Sequence, residues 1–454
     1  MFDKKRIHLI GIGGVSMSGI AYILKSLNAI VTGSDIYETD ITKKLINDGI
    51  IVKYGHHPEM IKDADIIVYT AAINENDPER VEAKKLHKEM HERAEFLGEL
   101  SKQYKNCLCI SGTHGKSTTT GMVSVIFLEA NLDPTIQIGA MLSQINGNIK
   151  IGKKDYLIME ACEYVDSFLN FHPTSIIITN IDNDHLDYFK NLENIKKSFN
   201  KYVNLLPHNG LLVKNNDDDN SHNVENGYTG KIITYSINNE ADYMAKNIII
   251  NELGHPTFDI YYHNEFVINI ALNINGMHNI YNALAAFALC KNYINDNMII
   301  KTGLEKYRGV GRRFEYIGTY NGCYIYDDYA HHPTEIKTAL ESVKSIKHNQ
   351  DWAVFQAHTF SRTKEHLDAF ADVLSKFDNI IIAPIYAARE INTFNINENM
   401  LVDKIKKQNK KVIYLDSFEK IAEYLKENTH NKDLIITIGA GPINQVAKNI
   451  CNNK

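Results

Sequence analysis

The 454-residue chain has few cysteines and no cluster of them. Its six, Cys107, Cys109, Cys162, Cys290, Cys323 and Cys451, are scattered, with no Cys-x-x-Cys pair. That spacing excludes a zinc ribbon and a disulfide framework and fits reduced thiols in a cytoplasmic protein. An excess of basic residues is also missing: 49 Lys and Arg against 55 Asp and Glu give a formal net charge of −6, with no long basic run. Nucleic acid is therefore not an expected partner. No stretch approaches the roughly 18 apolar residues a membrane helix needs, so membrane insertion is not expected either. Met1-Phe2-Asp3-Lys4-Lys5-Arg6 opens like the basic segment of a signal peptide. The apolar run behind it is too short, however, and glycines break it. No internal repeat is evident. What is left is a composition of 44% hydrophobic and 23% charged residues, ordinary for a globular enzyme of two to four domains.

Short β-rich runs alternate with amphipathic helical segments almost throughout, which predicts α/β layers with mainly parallel sheets. Three blocks separate, 1–106, 107–314 and 315–454. The Asn- and Asp-rich stretch 215–230 reads as a surface loop, and its run Asp217-Asp218-Asp219 as solvated acids rather than a metal site.

The second block opens on Asn106-Cys107-Leu108-Cys109-Ile110, then Gly112-Thr113-His114-Gly115-Lys116-Ser117, then a segment of helical character from Thr118 to Ala130. Strand, glycine loop, Lys-Ser and helix is the layout that wraps backbone N–H groups around nucleotide phosphates. In it the lysine reaches the outer phosphates and the hydroxyl is placed to hold magnesium. Two residues stand between the glycines here, where the standard loop has four, which points to a subgroup of its users.

A second glycine loop, Gly11-Ile12-Gly13-Gly14-Val15-Ser16, follows the first strand and precedes a helix from Met17 to Leu27. This is a dinucleotide-fold context, and Asp35 closes the next strand near the distance where an acid bonds a ribose hydroxyl. Its sixth position is Ser16 rather than Gly, so a diphosphate of another nucleotide is the expectation over nicotinamide, and a merely structural turn stays open.

Glu160 ends one strand and Asp184-His185 follow another. Ligands of parallel sheets bind beyond the carboxyl ends of strands, so both groups should face the phosphate loop. A carboxylate and an imidazole there suit magnesium between ATP and a second substrate. His278, Asn279 and Asn282 introduce a long helix and either cap it or read the edge of a purine. Further on, Asp327-Asp328-Tyr329-Ala330-His331-His332-Pro333 follows a strand, and adjacent histidines seldom converge on one ion, so separate roles are expected. His358 and Arg362 follow the strand Ala353-Val354-Phe355. Arg312-Arg313 sits at the junction into the third block. Arginines there suit carboxylate or phosphate, and for one of these two an inter-domain salt bridge is an equal expectation.

Taken together, these residues resemble the Mur ligases of peptidoglycan synthesis, in order and over essentially the whole length. The resemblance rests on Gly11 to Ala21, Gly112 to Thr120, Glu160 to Leu169, Thr179 to Asp187, Gly276 to Ala286, Gly309 to Glu315, Asp327 to Glu335 and Gly439-Ala440-Gly441. The Asp-Asp-Tyr-Ala-His-His-Pro run marks the alanine-adding branch and its recycling relative, which attaches a tripeptide to a muramate nucleotide sugar. The resemblance implies three domains: a Rossmann-like N-terminal domain, a central ATPase-like domain with a mainly parallel sheet, and a Rossmann-like C-terminal domain. It implies a cytoplasmic ligase, monomer or homodimer, joining L-alanine to the lactyl carboxylate of UDP-N-acetylmuramate through an acyl phosphate.

By the same resemblance the nucleotide sugar lies at Gly11, Gly13, Gly14, Ser16, Ser18, Asp35 and Thr70, with His56 nearby. ATP meets Gly112 to Thr118, His278, Asn279, Asn282 and Arg313, and Mg2+ meets Ser117, Glu160 and His185. The amino acid meets Tyr329, His331, His358 and Arg362, with Asp328 completing that site, and the catalytic set is Lys116, His185, His331 and Arg362. The third domain is expected to close over the reacting groups. Three departures stand out: Thr359 replaces a second arginine, Cys162 replaces an acid, and Lys196, Lys197 and Lys201 leave open whether a modified lysine supports the second metal.

Overall fold

The structure, a computed structural model, describes residues 2–388, 390–408 and 410–451. It divides into two compact units. One comprises Met1–Asn247, Phe258–Ile270 and His278–Tyr307, and the other Ile248–Thr257, Ala271–Met277 and Arg308–Lys454.

The first unit carries two sheets. Strands β1 (Arg6–Ile10), β2 (Ile30–Asp35), β3 (Ile51–Tyr54), β4 (Ile66–Tyr69) and β5 (Glu89–Glu92) form an all-parallel sheet in the order β3-β2-β1-β4-β5. The chain order reverses between β1 and β4, so a crevice opens beyond their carboxyl ends, where Gly11 and Thr70 lie. The second sheet runs through β6 (Asn106–Ser111), β7 (Thr135–Leu142), β8 (Gly147–Lys150), β9 (Tyr156–Glu160), β10 (Ser175–Ile178), β11 (Leu211–Asn215), β12 (Lys231–Ser236), β13 (Tyr243–Ile250), β14 (Pro256–Tyr262) and β15 (Glu265–Ala271). Its order is β15-β14-β13-β12-β11-β10-β6-β9-β7-β8, parallel from β13 to β7, with β8 antiparallel at the edge.

β6 is flanked by β10 and β9 and is buried along nearly its whole length, which is why its sequence is an unbroken apolar run rather than an alternating one. One apolar core continues from Ile7, Leu9 and Ile20 through Phe96 and Leu97 to Cys107, Met159, Phe168, Ile176 and Tyr202, joining the two sheets of this unit. Helices Lys116–Glu129, His278–Cys290 and Asn297–Lys306 pack on one another, with Gly121 and Gly303 letting their neighbours approach: a Cβ on Gly303 would lie 2.6 Å from the backbone of Ile126.

The second unit holds β16 (Glu315–Tyr320), β17 (Cys323–Asp328), β18 (Asp351–Phe355), β19 (Asn379–Ile382), β20 (Lys411–Tyr414) and β21 (Leu434–Ile438), in the order β16-β17-β21-β18-β19-β20. Only β16 is antiparallel. Apolar clusters cover both faces, one around Phe355, Phe370 and Ile436, the other around Val354, Ile421 and Ile435. The three sheets therefore lie within 6–92, 106–271 and 315–438. No helix among the described residues is long and apolar enough to cross a membrane.

Candidate active site

The phosphate loop leaves β6 and enters the helix Lys116–Glu129, two residues earlier than the sequence predicted. Gly112 has φ +126° and a Cβ there would meet Thr179 Oγ1 at 2.1 Å. Gly115 has φ +84° and its Cβ would meet Asn282 Oδ1 at 2.6 Å. Both glycines are thus required by backbone hand and by close neighbours. The segment after β10 pins the loop. Thr113 N–H donates to Asn180 O (2.9 Å) and His114 N–H to Asn180 Oδ1 (2.9 Å). Thr179 Oγ1 donates to His114 O (2.6 Å), and Asp182 N–H to Thr113 Oγ1 (2.9 Å). His114 also faces Asp182, Nε2 to Oδ2 3.6 Å. These contacts leave the first-turn amides of the helix, around Lys116, Ser117 and Thr118, as the generic orphan donors of a helix start.

Lys116 Nζ donates to the Gly112 and Thr113 carbonyls and to the carboxylate of Glu163, at 3.1 and 3.3 Å from its two oxygens. Burial works against the ammonium, but Glu163 and, further off, Glu160 more than offset it, and Lys116 holds its proton more firmly than an ordinary lysine. Glu163 is a site residue the sequence did not single out. It stands just ahead of a left-handed turn at Val165 (φ 50°) and Asp166 (φ 57°) that no sequence pattern announces. A β-branched residue in that region is a strained conformer held by its surroundings. Here Asp166 is held by Tyr188 O–H (2.8 Å) and Ser198 Oγ.

Glu160 ends β9 with Oε1 accepting from Gly139 N–H (2.7 Å). His185 also has a left-handed backbone (φ 54°), with its ring 4.4 Å from that of Tyr164 and Nε2 3.7 Å from Asp184 Oδ2. The carboxyl ends of β9, β6 and β10 are adjacent: Ser111 Oγ donates to Ala161 O (2.8 Å), and Thr179 N–H to Ser111 O (3.0 Å). This brings Glu160 and the phosphate loop to one sheet edge. The hydroxyl of Ser117 and the carboxylate of Glu160 are oxygen donors of the kind magnesium takes, a cation that keeps few protein ligands and completes its shell with phosphate oxygens and water. Among the described residues, the one His/Cys/Asp/Glu trio whose ligand atoms lie within 4.8 Å of one another is His348, Asp351 and Asp378. It lies at the opposite, amino end of the third sheet. Lys344 and His348 already pair with Asp351 there. Lys196, Lys197 and Lys201 line an open groove of about 890 Å³ together with Asp166, Tyr188 and His222. Cys162 is exposed.

His278 and Asn279 begin the helix His278–Cys290, with His278 exposed. Asn282 is committed to the loop: Nδ2 donates to Asn279 Oδ1 (2.9 Å) and Oδ1 accepts from Thr119 Oγ1 (3.2 Å). The acidic run resolves into loop clamps. Asp217 accepts from Ile237, Asn238 and Asn239 N–H and from Tyr281 O–H (2.9 Å), and Asp218 from Ile181 N–H (3.0 Å).

In the first sheet, Gly11 has φ +79° and a Cβ would press on Thr70 Cγ2 at 3.0 Å. Gly14 caps the helix Val15–Ser26 without a side chain. Asp35 holds two backbone amides, Oδ2 accepting from Gly13 N–H (2.8 Å) and Oδ1 from Tyr37 N–H (3.2 Å), and each oxygen keeps a lone pair for a further donor. It shapes the glycine loop. Ser16 Oγ accepts from Gln137 Nε2 (3.1 Å) and Arg93 Nη1 (3.3 Å), while Ser18 is buried and donates to Val15 O (2.9 Å). His56 pairs with Asp77 (3.1 Å).

The second unit gathers its polar residues at the carboxyl ends of β17, β21 and β18. Arg312 is not an inter-domain bridge: Nε donates to Asp327 Oδ2 (3.0 Å), and Nη2 and Nη1 to the Gly439 and Ala440 carbonyls, all within this unit. Asp327 is fully buried and also accepts from Thr437 Oγ1 (2.6 Å). Arg313 is freer, 40% exposed, with Nη1 3.8 Å from Glu335. Asp328 accepts from Phe314 N–H and Ala330 N–H, both 2.7 Å, and burial pushes its carboxyl up to about 6 despite Arg313.

The two adjacent histidines diverge. His332 caps the helix Pro333–Ser345 in a capping box with Glu335. His331 Nδ1 lies 3.1 Å from Tyr329 O and 3.3 Å from Glu335 Oε2, both pure acceptors, so Nδ1 is the donor there and Nε2 faces away from them. His358 does the reverse. Arg362 Nη1 donates to its Nδ1 (3.0 Å), and a guanidinium cannot accept, so the proton is on Nε2. Burial, with Arg362 and His331 adding to it, lowers His358 to about 4, and it stays neutral. The two rings are 5.9 Å apart, with Tyr329 5.4 Å from His331. Thr359, where a second arginine stood as the alternative, caps the helix Phe360–Glu365 from a left-handed backbone (φ 62°).

Comparison with known proteins agrees with this layout. Residues 6–105 match the Mur ligase family catalytic domain, 110–290 the Mur ligase middle domain, and 312–441 the Mur ligase glutamate ligase domain. The chain is 46% identical, over 99% of its length and 96% of the relative's, to a UDP-N-acetylmuramate–L-alanine ligase of Acetivibrio thermocellus. It is 47% identical to one of Caldicellulosiruptor bescii, over 96% of each chain. A crystal structure of the UDP-N-acetylmuramate-alanine ligase of Thermotoga maritima superposes with a TM-score of 0.84 at 25% identity, covering 98% of both chains. The fold is shared also with a murein peptide ligase of Psychrobacter arcticus, at a TM-score of 0.71 over 99% of this chain and 98% of that one, at 23% identity. The chain belongs to the Mur ligase family.

Proposed function

We propose that this protein is an ATP-dependent ligase that joins L-alanine to the lactyl carboxylate of UDP-N-acetylmuramate, releasing ADP and phosphate. The N-terminal glycine loop and the helix Val15–Ser26 receive the diphosphate of the nucleotide sugar. The loop Gly112–Thr118 receives the ATP phosphates, with His278 and Asn279 toward the base. Ser117 and Glu160, with His185 beside them, would hold magnesium, which supplies charge neutralisation for the phosphates. Such substrates place the reaction in the cytoplasm.

A carboxylate resists attack by an amine because oxide would have to leave. Transfer of the γ-phosphoryl to the lactyl carboxylate oxygen releases ADP and leaves an acyl phosphate, whose leaving group is phosphate. Lys116 stabilises charge on the transferring group by position alone. Arg362, with one nitrogen on His358, keeps its remaining donors for the alanine carboxylate. His331 Nε2, with its lone pair exposed by the Nδ1 bond to Tyr329 O, takes a proton from the alanine ammonium. The freed amine attacks the acyl carbon, and the tetrahedral intermediate collapses to the amide and phosphate.

The observation that carries the acceptor side is the His331, His358 and Arg362 cluster of the second unit, with the two imidazole rings 5.9 Å apart and the guanidinium on His358 Nδ1. The test is phosphate release with ATP and UDP-N-acetylmuramate, comparing L-alanine with the L-Ala-D-Glu-diaminopimelate tripeptide as acceptor. Turnover with alanine and little with the tripeptide is expected; the reverse preference would overturn the reading.

A further inference from the structure

Lys116 has three N–H donors, and all three are in use: two go to loop carbonyls, of Gly112 and Thr113, and the third to Glu163. The two carbonyls belong to the loop itself and travel with it. Glu163 comes from the segment after β9, just ahead of the strained turn at Val165 and Asp166. Its side chain is 2% exposed, and among the described residues its carboxylate has no other hydrogen-bond partner than this ammonium. A buried carboxylate with one partner is an expensive group to keep unless that pairing has a use. Phosphate oxygens entering the loop require the same ammonium, and of its three partners only Glu163 is one they can replace without dismantling the loop.

We propose that Glu163 is a positioning residue for the phosphate-loop lysine, holding Lys116 inside the loop and yielding it to the nucleotide's outer phosphates. Nucleotide binding is then an exchange of one anionic partner for another, and the observed affinity is lowered by the fraction of molecules in which Glu163 keeps the lysine. The inference rests on the proposed use of ATP at this loop, and it deepens that reading by naming what ATP displaces.

The test is a calorimetric titration of ATP, with and without magnesium, into the full chain and into Glu163→Gln, Lys116→Met and the double variant. Glu163→Gln keeps the shape and removes the competing charge. The expected result is ATP bound about tenfold more tightly than by the unaltered chain, with that gain largely gone when Lys116 is already Met. Glu163→Asp keeps the charge on a shorter stem and is expected to bind ATP a few-fold more tightly; it carries the test if the Gln variant does not fold. Equal affinities for Glu163→Gln and the unaltered chain would overturn the proposal. So would an equal gain in both lysine backgrounds, since Glu163 would then act on the phosphates directly. A loss of affinity confined to the magnesium titration would also overturn it, because Glu163 would then be a metal ligand. If the unaltered chain binds no ATP, both this inference and the function proposed above fail; if it binds ATP and only the variant's shift is missing, the function stands and the inference falls.

Discussion

The phosphate loop and the histidine cluster of the second unit solve different problems with different materials. The loop is a continuous stretch of backbone, bent by two positive-φ glycines and fastened from behind by Thr179, Asn180 and Asn282. One charged side chain, Lys116, works inside it. The cluster is the opposite: side chains from two strand ends, Tyr329 and His331 after β17 and His358 and Arg362 after β18, beside the Gly439 and Ala440 carbonyls after β21, which Arg312 ties. On the proposed function, the loop offers a polyanion a cradle of amides and one ammonium. The cluster would offer a small zwitterion the Arg362 guanidinium and two imidazoles, of which His358 stays neutral.

The difference predicts how each region breaks. The largest effect should come from Lys116→Met, which removes the charge opposite the transferring phosphoryl; kcat for phosphate release should fall about a thousandfold, with the fold intact by circular dichroism. Near-normal turnover would mean the loop is not where phosphoryl transfer occurs. Next, Arg362→Ala should raise the KM for L-alanine by about a hundredfold and leave the KM for ATP within about twofold, because a charged hydrogen-bonded pair is lost from one substrate only. Equal shifts in both would erase the division of labour between the regions. Gly115→Ala forces a left-handed backbone on a residue with a Cβ and drives that Cβ onto Asn282. A strain of about 1–2 kcal/mol should weaken ATP binding by about tenfold.

Stability separates the regions too. Asp327→Asn removes the fully buried partner of Arg312 and should lower the unfolding free energy of the second unit by about 2 kcal/mol, less than for a wholly buried pair because Arg312 is part-exposed. The smallest effect is in pH. His358 is protonated in the unfolded chain below about 6.5 but only below about 4 when folded. The unfolded chain therefore binds the extra proton in that window, and this contribution to stability is lost as pH falls through it. Asp328 has the opposite sign. Its carboxyl is raised to about 6 from an unfolded value near 3.9, so the native state holds the extra proton and stability falls as pH rises between them. Across pH 4 to 7, urea midpoints relative to the unaltered chain should rise with pH for Asp328→Asn and fall with pH for His358→Gln; curves parallel to the unaltered chain's would contradict both assignments.

Legibility in the sequence followed the same divide. The loop could be read because its chemistry is local, a strand, two glycines, a lysine and a helix within a few turns of chain. The fold class could be read because buried parallel strands such as β6 write themselves as unbroken apolar runs. Residues whose role depends on where another segment lands could not. Glu163 reaches Lys116 from the segment after β9, just ahead of a left-handed Val165, a conformation the residue type argues against. Asp35 stands at the spacing of a ribose ligand, but that its carboxylate also holds the Gly13 and Tyr37 amides follows only from where the loop folds. Arg312 looked like a hinge residue and is instead a strut among β17 and β21. The divergence of His331 and His332 was expected from their adjacency, but which ring nitrogen carries the proton required their partners.

On the proposed function, the loop serves to turn a carboxylate into an acyl phosphate for an amine to attack. The direct measurement is the fate of oxygen in the lactyl carboxylate. With both carboxylate oxygens labelled with oxygen-18, and with ATP and L-alanine present, each phosphate released should carry one labelled oxygen, transferred as the bridging oxygen of the acyl phosphate. Phosphate without label, formed at the same rate as the amide, would contradict it.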